Sequence, residues 1–286
     1  MGEQIFAYPI ESLAEHGIRF SFYSDKPSNN NPHKPKNSPI SFQEYRDKFD
    51  KIISYIDSGE IEMLNFTQPT PIISQLSLEE IYEMSHGLYK CIVADKFVCF
   101  SPESFIKIKD NKIHTYPMKG TIKDSPQKLL DDAKELHEHT LAVDLLMDDL
   151  SKIATDIKIE SFRYITEIKN SDSTIYQTSS HISATLSDSW RENFSSLLKN
   201  LLPAGSISGI PKERAIEITA EIEGYDRGFY CGVFGYFDGE SIDSGVAIRY
   251  IEKDGDKLIY KSGGGITANS NALNEYNEMI DKIYIP

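Results

Sequence analysis

The sequence has 286 residues, of which 40% are hydrophobic and 26% are charged. This balance is that of an ordinary globular protein, so it excludes a wholly disordered, collagen-like or coiled-coil chain. The net charge of -14 argues against a nucleic-acid partner, which would require the opposite sign.

Several features bear on where the protein works. No run of about 18 apolar residues is present, so we expect no membrane span. The N-terminus lacks a basic region followed by an apolar stretch, so we expect no secretory signal. Three cysteines, an odd number without metal-ligand spacing, predict neither a disulfide framework nor a zinc site. We therefore expect a cytoplasmic protein.

The first part of the chain combines apolar stretches, a loop, a helix and strands. Apolar residues at spacings of three and four predict the helix, and Gly59 is its expected end. In chain order we expect strand-like stretches at 6–10 and 18–23, an exposed loop rich in proline and asparagine at 26–39, a helix at 41–60, a strand at 61–72, and two or three short strands within 91–120.

The second part continues with a long helix and further strands. In chain order we expect a helix at 126–153, strands at 162–168 and 173–186, a helix at 214–223, a strand at 228–238, a hairpin at 246–266 that turns at Asp254–Gly255, and a closing helix at 271–285. The strands come in consecutive runs, which favours an α+β fold over a doubly wound one.

The number of strands is too large for one small sheet. We therefore expect two packed, largely antiparallel β-sheets that form a sandwich with helices outside. The loop at 26–39 is the one linker-like segment of the sequence. The predicted organisation is a short N-terminal segment, 1–40, followed by a single continuous catalytic domain, 41–286.

Two predicted helices each carry a pair of glutamates three residues apart, Glu135 with Glu138 and Glu275 with Glu278. That spacing places each pair on one helix face. If the two pairs faced each other, their repulsion would require a cation. Mg²⁺ is held in this way, by one or two carboxylates together with water and an anionic substrate. For either pair alone, a solvated helix face is the alternative.

Two glycine-containing segments are candidate anion sites. Residues 203–212 include Gly205 and Ser206, and residues 262–267 include Gly264 and Gly265. Backbone N–H groups near a helix N-terminus bind anions, and glycine allows a ligand to approach closely. Neither segment matches the P-loop or dinucleotide-binding fingerprint, and a tight turn is the alternative for each.

Three further residues have chemistry that a site could use. Lys119 lies between a predicted strand and a Gly-Thr turn, and an enclosed lysine can act as a nucleophile or base. Arg249 lies among apolar residues, so it is a candidate for binding a carboxylate. His181 lies in a predicted strand. A surface lysine and a structural histidine are the alternatives for Lys119 and His181.

Together these segments resemble the chorismate-utilising enzymes, over about residues 45 to 286. The motifs follow the family order: SPESF, PMKGT, KELHEHTLAVDLLMDDL, HISATL, PAGSISGIPK, RGFYCGVFGY, AIR, GGGIT, EYNE and a terminal lysine. Each motif alone is weak, but the ordered set is specific. The resemblance implies the same two-sheet sandwich with outer helices.

The resemblance also implies a set of site residues. Glu138 and Glu278 would bind Mg²⁺, which holds a substrate carboxylate, while Glu135 and Glu275 would order metal-bound water. The expected substrate-binding residues are Gly264, Gly265 and Lys282 at the same carboxylate, Arg249 and Tyr236 at the enolpyruvyl carboxylate, and in addition Thr121, Gly205 and Ser206.

Among these enzymes, the segment around Lys119 resembles that of aminodeoxychorismate synthases, which typically carry PIKGT. The resemblance implies that Lys119 attacks C2 of chorismate as the C4 hydroxyl leaves, assisted by a site glutamate such as Glu138. Ammonia then adds at C4, giving 4-amino-4-deoxychorismate for 4-aminobenzoate and folate synthesis. Met63 stands where isochorismate and salicylate synthases carry a general-base lysine, which disfavours water addition.

The sequence leaves two alternative functions open and predicts two partner proteins. His181 matches a catalytic histidine of anthranilate synthases, so an anthranilate synthase component is the first alternative. A non-catalytic binding or regulatory member is the second. The sequence contains no glutaminase arrangement, so we expect a separate glutamine amidotransferase subunit to deliver ammonia and an aminodeoxychorismate lyase to act on the product. Residues 1–40 are too few for a tryptophan feedback pocket.

Overall fold

The computed structural model describes residues 8–20, 33–122, 125–169 and 174–286. The chain divides into two compact units, Met1–Asn30 and Asn31–Pro286. In the first unit, Ile10–His16 form a 3₁₀ helix. The predicted domain boundary at residue 40 stays a prediction. In the described ranges, no helix is long and apolar enough to cross a membrane.

Seven α-helices lie in the described part of the second unit. They begin with local signals that the sequence supplies, such as the Ser41 hydroxyl, which accepts a hydrogen bond from the backbone N–H of Glu44. The helices are α1 (Phe42–Asp57), α2 (Leu78–Met84), α3 (Pro126–Asp131), α4 (Ala133–Ser151), α5 (Phe194–Leu201), α6 (Lys212–Glu223) and α7 (Ala272–Asp281).

Fourteen strands accompany them within the described residues. They are β1 (Lys36–Asn37), β2 (Met63–Ile73), β3 (Tyr89–Val93), β4 (Phe97–Ser101), β5 (Ser104–Lys109), β6 (Lys112–Thr115), β7 (Met118–Ile122), β8 (Thr155–Lys169), β9 (Thr174–Thr185), β10 (Gly209–Ile210), β11 (Val233–Phe237), β12 (Ile242–Val246), β13 (Tyr250–Asp254) and β14 (Lys257–Thr267).

The strands form two antiparallel sheets, which confirms the predicted α+β sandwich. The first sheet has the order β1-β2-β14-β13-β4-β3, with β10 beside β2. The second has the order β11-β12-β5-β6-β9-β7, with β8 beside β9. One apolar core joins Cys99 and Tyr250 of the first sheet to Ile113 and Ile182 of the second.

The helices cover the sheets and position the site. Helices α1, α6 and α7 pack on β2 and β14 through a second apolar cluster that includes Phe66 and Ile266. Helices α4 and α5 contribute Val143, Leu150 and Leu197 to the core that joins the sheets. As a result, the N-terminal part of α4 and the face of α7 that carries Glu275 and Glu278 approach the same region of the molecule.

Several predicted elements differ from the structure in their number, their boundaries or the position of a turn. The helix predicted at 126–153 is two helices, because Asp132 has an extended backbone and its side chain caps α4 by accepting from the N–H of Glu135. Within 91–120 there are five strands instead of two or three. The hairpin turns at Gly255–Asp256, one residue later than predicted, and Gly255 supplies the positive φ of 59°.

The N-terminal predictions are tested only in part. Phe6 and Ala7 of the stretch predicted at 6–10 lie outside the described residues, while Tyr8 and Pro9 are not in a strand and Ile10 begins the 3₁₀ helix. Residues 18–20 form no strand, and 21–23 lie outside the described ranges. Of the loop predicted at 26–39, the described part includes β1, which pairs with the end of β2.

Candidate active site

A cavity of about 300 Å³ lies between β7, β14 and the facing ends of α4 and α7. Its size suits a small polar ligand. Most of the residues predicted from the sequence line it together. They are Lys119, Glu135, Glu138, Ser206, Arg249, Gly264, Gly265, Glu275, Glu278 and Lys282.

The glycine run of β14 forms the floor of the cavity. A Cβ atom at Gly264 would lie 3.5 Å from Nζ of Lys282 and 3.6 Å from Oε1 of Glu278. One at Gly265 would lie 3.4 Å from Nζ of Lys119. The backbone of β14 therefore carries no side chain beside the amines of Lys119 and Lys282 and the carboxylate of Glu278. This gives a ligand room to approach the main chain.

Gly263 leaves no space for a Cβ atom, whereas the neighbouring Gly264 does. A Cβ atom there would collide with the carbonyl oxygen of Phe66 and lie 2.6 Å from Cα of Thr67 on β2. We expect Gly263→Ala to lower the free energy of unfolding by about 3 kcal/mol. Gly264→Ala is the matched control, and we expect a change below about 1 kcal/mol. Urea unfolding of both variants checks this, and equal midpoints would contradict it.

Four glutamates from two helices converge at one end of the cavity. Nζ of Lys134 lies 2.8 Å from Oε1 of Glu275 and 3.4 Å from Oε1 of Glu138. Nζ of Lys282 lies 2.7 Å from Oε1 of Glu278. The predicted convergence of the two glutamate pairs is thus present in the geometry, with two lysines among the carboxylates.

The electrostatics of this acidic end follow from burial and crowding. Burial, together with the charge of Glu138, raises the pKa of Glu135 to about 7. Burial also raises the pKa of Glu138. The ammonium of Lys282 instead lowers the pKa of Glu278. Crowded carboxylates that resist ionisation gain most from an added positive charge.

The donor chemistry at this end fits a divalent metal ion. Glu138 lines the cavity, and its Oε1 is buried and accepts no hydrogen bond, so it has an unused lone pair. Carboxylate oxygens are the ligands that Mg²⁺ prefers. Among the described residues, no group of three or more His, Cys, Asp or Glu side chains is already arranged as a metal site. Metal binding would therefore require the lysines to rearrange.

Lys119 reaches the cavity from β7, where a bulge lies between Lys119 and Thr121. Gly120 occupies the bulge with a φ of 65°, a conformation that glycine adopts at little cost. The hydroxyl of Thr178 on β9 donates to the Lys119 carbonyl and fixes the strand. Within the described ranges, Nζ of Lys119 makes no hydrogen bond or ion pair, so its amine is available to a ligand.

The other end of the cavity combines an arginine with a buried acid. Nε of Arg249 is buried and has no hydrogen-bond partner, which suits it to a ligand carboxylate. Burial raises the pKa of Glu103, while the nearby Ser206 hydroxyl and the charges of Lys119 and Arg249 oppose that rise. Tyr230 lines the same end.

Glu103, Lys134, Gln177 and Tyr230 also line the cavity, although they were not assigned from the sequence. Two of them lie in motifs of the family resemblance. Glu103 is the acid of SPESF, and Tyr230 is the first tyrosine of RGFYCGVFGY. Lys134 precedes the first glutamate pair, but that position does not indicate a partner on a distant helix. Gln177 lies on β9 opposite the bulge of β7 and had no distinguishing signal.

Four predicted residues are not brought into this cavity. His181 stacks on Tyr116 with ring centroids 4.7 Å apart, and its Nε2 lies 3.0 Å from Nδ1 of His114. Tyr236 lies on the edge strand β11. Gly205 packs against Leu145 and lines a small adjoining space. The backbone of Thr121 pairs with Gln177, and its side chain lies outside what the structure describes.

Comparisons with known proteins identify the family of this chain. A family model described as chorismate binding enzyme matches residues 10–286. An uncharacterized PabA-like protein of Haemophilus influenzae is 43% identical over 286 residues, covering 97% of this chain and 87% of that protein. Aminodeoxychorismate synthase component 1 of Salmonella typhimurium is 29% identical over 260 residues, covering 84% of this chain and 56% of that protein.

A solved structure leads to the same assignment. Anthranilate synthase component I of Streptococcus pneumoniae superposes with a TM-score of 0.74 at 25% sequence identity, covering 96% of this chain and 63% of that chain. The family match extends over nearly all of the sequence, including every element that lines the cavity. The chain therefore belongs to the chorismate binding enzymes.

Proposed function

We propose that this enzyme converts chorismate and ammonia into 4-amino-4-deoxychorismate in a Mg²⁺-dependent reaction. The observation that carries the proposal is the amine of Lys119. It enters the cavity beside Gly265 and has no partner among the described residues. An amine held this way, between an acidic end and an arginine end, can reach the ring of a bound dicarboxylate.

The two ends of the cavity suit the two carboxylates of chorismate. At the acidic end, Lys282 and the backbone at Gly264 would bind the ring carboxylate, with Glu138 and Glu278 holding Mg²⁺. At the other end, Arg249 and Tyr230 would bind the enolpyruvyl carboxylate. Tyr230 takes the role that the sequence analysis gave to Tyr236, because Tyr230 lines the cavity. Bound Mg²⁺ would neutralise carboxylate charge as the ring reacts.

In the proposed mechanism, the amine of Lys119 attacks C2 and both ring double bonds shift by one position, toward C4. The C4–O bond breaks, and the hydroxyl leaves as water with a proton from Glu103. Ammonia then bonds to C4, both double bonds shift back, the amine of Lys119 leaves C2, and the new C4 ammonium returns a proton to Glu103. The balance is chorismate plus ammonia giving 4-amino-4-deoxychorismate plus water.

We assign the role of proton donor to Glu103, which lines the cavity and whose pKa is raised by burial. A raised pKa favours the protonated form that a general acid needs. We expect Glu103→Gln to lower kcat by about 10²- to 10⁴-fold, because the amide cannot supply a proton. In the wild type, kcat should fall as pH rises through the raised pKa of Glu103. Rate–pH profiles of both proteins measure this.

Although Glu103→Gln should lower activity, it should raise stability. A buried glutamate with a raised pKa binds a proton more tightly folded than unfolded, so ionising it at higher pH costs stability. Glu103→Gln should therefore melt at a higher temperature than the wild type above that pKa, and the difference should shrink as pH falls. Glu221→Gln, on the exposed side of α6, is the control. An activity and a stability that both stay unchanged would remove Glu103 from the mechanism.

Formation of anthranilate is less well supported. That reaction also eliminates pyruvate, a step for which the sequence analysis considered His181. His181 stacks on Tyr116 outside the cavity, and the described residues that line the cavity include no histidine. Gln177 is the residue of β9 that faces the ligand space, and an amide does not act as a general acid or base at neutral pH.

Product analysis tests the proposal. The protein is incubated with chorismate, Mg²⁺ and an ammonium salt, and the product is identified by mass spectrometry. We expect 4-amino-4-deoxychorismate, which added aminodeoxychorismate lyase converts to 4-aminobenzoate. Release of anthranilate without lyase, or of isochorismate, would contradict the proposal. We further propose that a separate glutamine amidotransferase supplies the ammonia, so adding that subunit with glutamine should replace the ammonium salt.

A further inference from the structure

Lys134 forms an ionic link between the two acidic helices. Its Nζ lies 2.8 Å from Oε1 of Glu275 on α7 and 3.4 Å from Oε1 of Glu138 on its own helix, α4. The two glutamates are only 5% and 7% exposed. The ammonium therefore lies where two buried carboxylates from different helices most need a positive charge.

The contact with Glu138 is incomplete. Oε1 of Glu138 is buried, lies within ion-pair distance of Lys134, and accepts no hydrogen bond. A lysine amine has three donors on a flexible stem, and this one donates a hydrogen bond to Oε1 of Glu275 but contacts Glu138 only as an ion pair. Oε1 of Glu138 therefore keeps a lone pair that a divalent ion could use.

We propose that Lys134 is an internal counter-cation, which neutralises the acidic end in the metal-free protein and is displaced when the divalent ion binds. This inference rests on the proposed metal-dependent function. Lys134 is itself 32% exposed in its side chain, so its amine has a route to solvent when it leaves. The ion must break the links of Lys134 with Glu138 and Glu275 before it gains its own ligands.

This competition has a consequence for the order of binding. The free energy of the lysine links is subtracted from that of metal binding, so the protein alone holds the ion weakly. A bound substrate carboxylate adds a ligand to the ion and shifts the balance toward the metal-bound form. Lys134 therefore makes tight metal binding depend on substrate.

Removing the competing charge should strengthen metal binding. Without chorismate, free Mn²⁺ is measured by electron paramagnetic resonance as each full-length, metal-free variant is titrated. We expect Lys134→Met to lower the Kd for Mn²⁺ by about tenfold, a typical size for one coupling between sites. Lys134→Gln, which keeps the length and polarity of the side chain, should change in the same direction.

Two controls make the effect specific. Lys253→Met removes an exposed ion pair with Asp95 outside the cavity and should leave the Kd within about twofold. Glu138→Gln added to Lys134→Met should abolish the gain, because the gain depends on that carboxylate. An unchanged or raised Kd in both Lys134 variants, or an equal gain in Lys253→Met, would overturn the proposal.

Stability supplies a readout that is independent of activity. Without metal, Lys134→Met leaves buried carboxylates facing each other unpaired, so it should melt below the wild type. Added Mg²⁺ should raise its melting temperature by more than it raises that of the wild type. An equal or smaller rise would count against displacement. Because no chorismate is present, this result can fail while the product assay succeeds, and the reverse also holds.

Discussion

Replacing Lys119 with alanine is expected to lower the rate of 4-amino-4-deoxychorismate formation on the order of 10³-fold. The reason is that the variant loses the nucleophile, while the carboxylate-binding groups at both ends of the cavity remain. Chorismate should therefore still bind, and calorimetry with Mg²⁺ present should report an affinity within about tenfold of the wild type. Product chromatography over a fixed time measures the loss of rate.

A positively charged variant distinguishes a nucleophilic role of Lys119 from a purely electrostatic one. Lys119→Arg places a permanent positive charge beside Gly265, but a guanidinium is not a nucleophile. We expect it to be as inactive as Lys119→Ala. Restored turnover in the arginine variant would mean that Lys119 acts only through its charge. In Lys119→Ala, ammonia attacking C2 directly would give a different amino product, which the same chromatography would resolve.

Neutralising either proposed metal ligand should have an effect of similar size. We expect Glu138→Gln and Glu278→Gln each to lower Mg²⁺-dependent kcat/KM by at least about 10²-fold, because an amide cannot replace a carboxylate at a hard divalent ion. Initial rates across a range of Mg²⁺ concentrations measure the loss.

The control for these variants is Glu217→Gln, which removes an exposed carboxylate paired with Arg214 on α6. It should leave the rates unchanged, because surface ion pairs of this kind contribute little. Full Mg²⁺-dependent activity in either Glu138→Gln or Glu278→Gln would contradict its role as a ligand.

The acidic end of the site was predictable from residue spacing. A separation of three residues places each glutamate pair on one helix face. The resemblance then placed the two faces opposite each other, and the structure brings Glu138 and Glu275 to one lysine. That lysine was not foreseen, because a positive side chain next to a glutamate pair is common on solvated helices and carries no sign of its partner on a distant helix.

The strand residues were harder to place. Gln177 and His181 are four residues apart, so they share one face of β9 and alternation could not rank them. Their positions along the strand separate them, because β7 and its Gly120 bulge pair with β9 at Gln177 but do not reach His181. A bulge depends on tertiary packing and has no reliable sequence signal.

The two tyrosines of RGFYCGVFGY illustrate the same limit. The sequence offers Tyr230 and Tyr236 as equivalent candidates, but residues 228–232 form turns that precede β11. This turn brings Tyr230 to the cavity, whereas Tyr236 lies within the edge strand. Glu103 lies between β4 and β5, and burial raises its pKa. The sequence does not reveal this burial.

The most direct test of the central claim is the mass of the protein after it meets chorismate without ammonia. The enzyme is mixed with chorismate and Mg²⁺, quenched in acid and digested. Bond formation between Lys119 and C2 predicts a mass gain equal to chorismate minus one water, on the peptide that contains Lys119 and absent from Lys119→Ala. Unmodified protein in samples that form 4-amino-4-deoxychorismate at full rate when ammonium is added would contradict it.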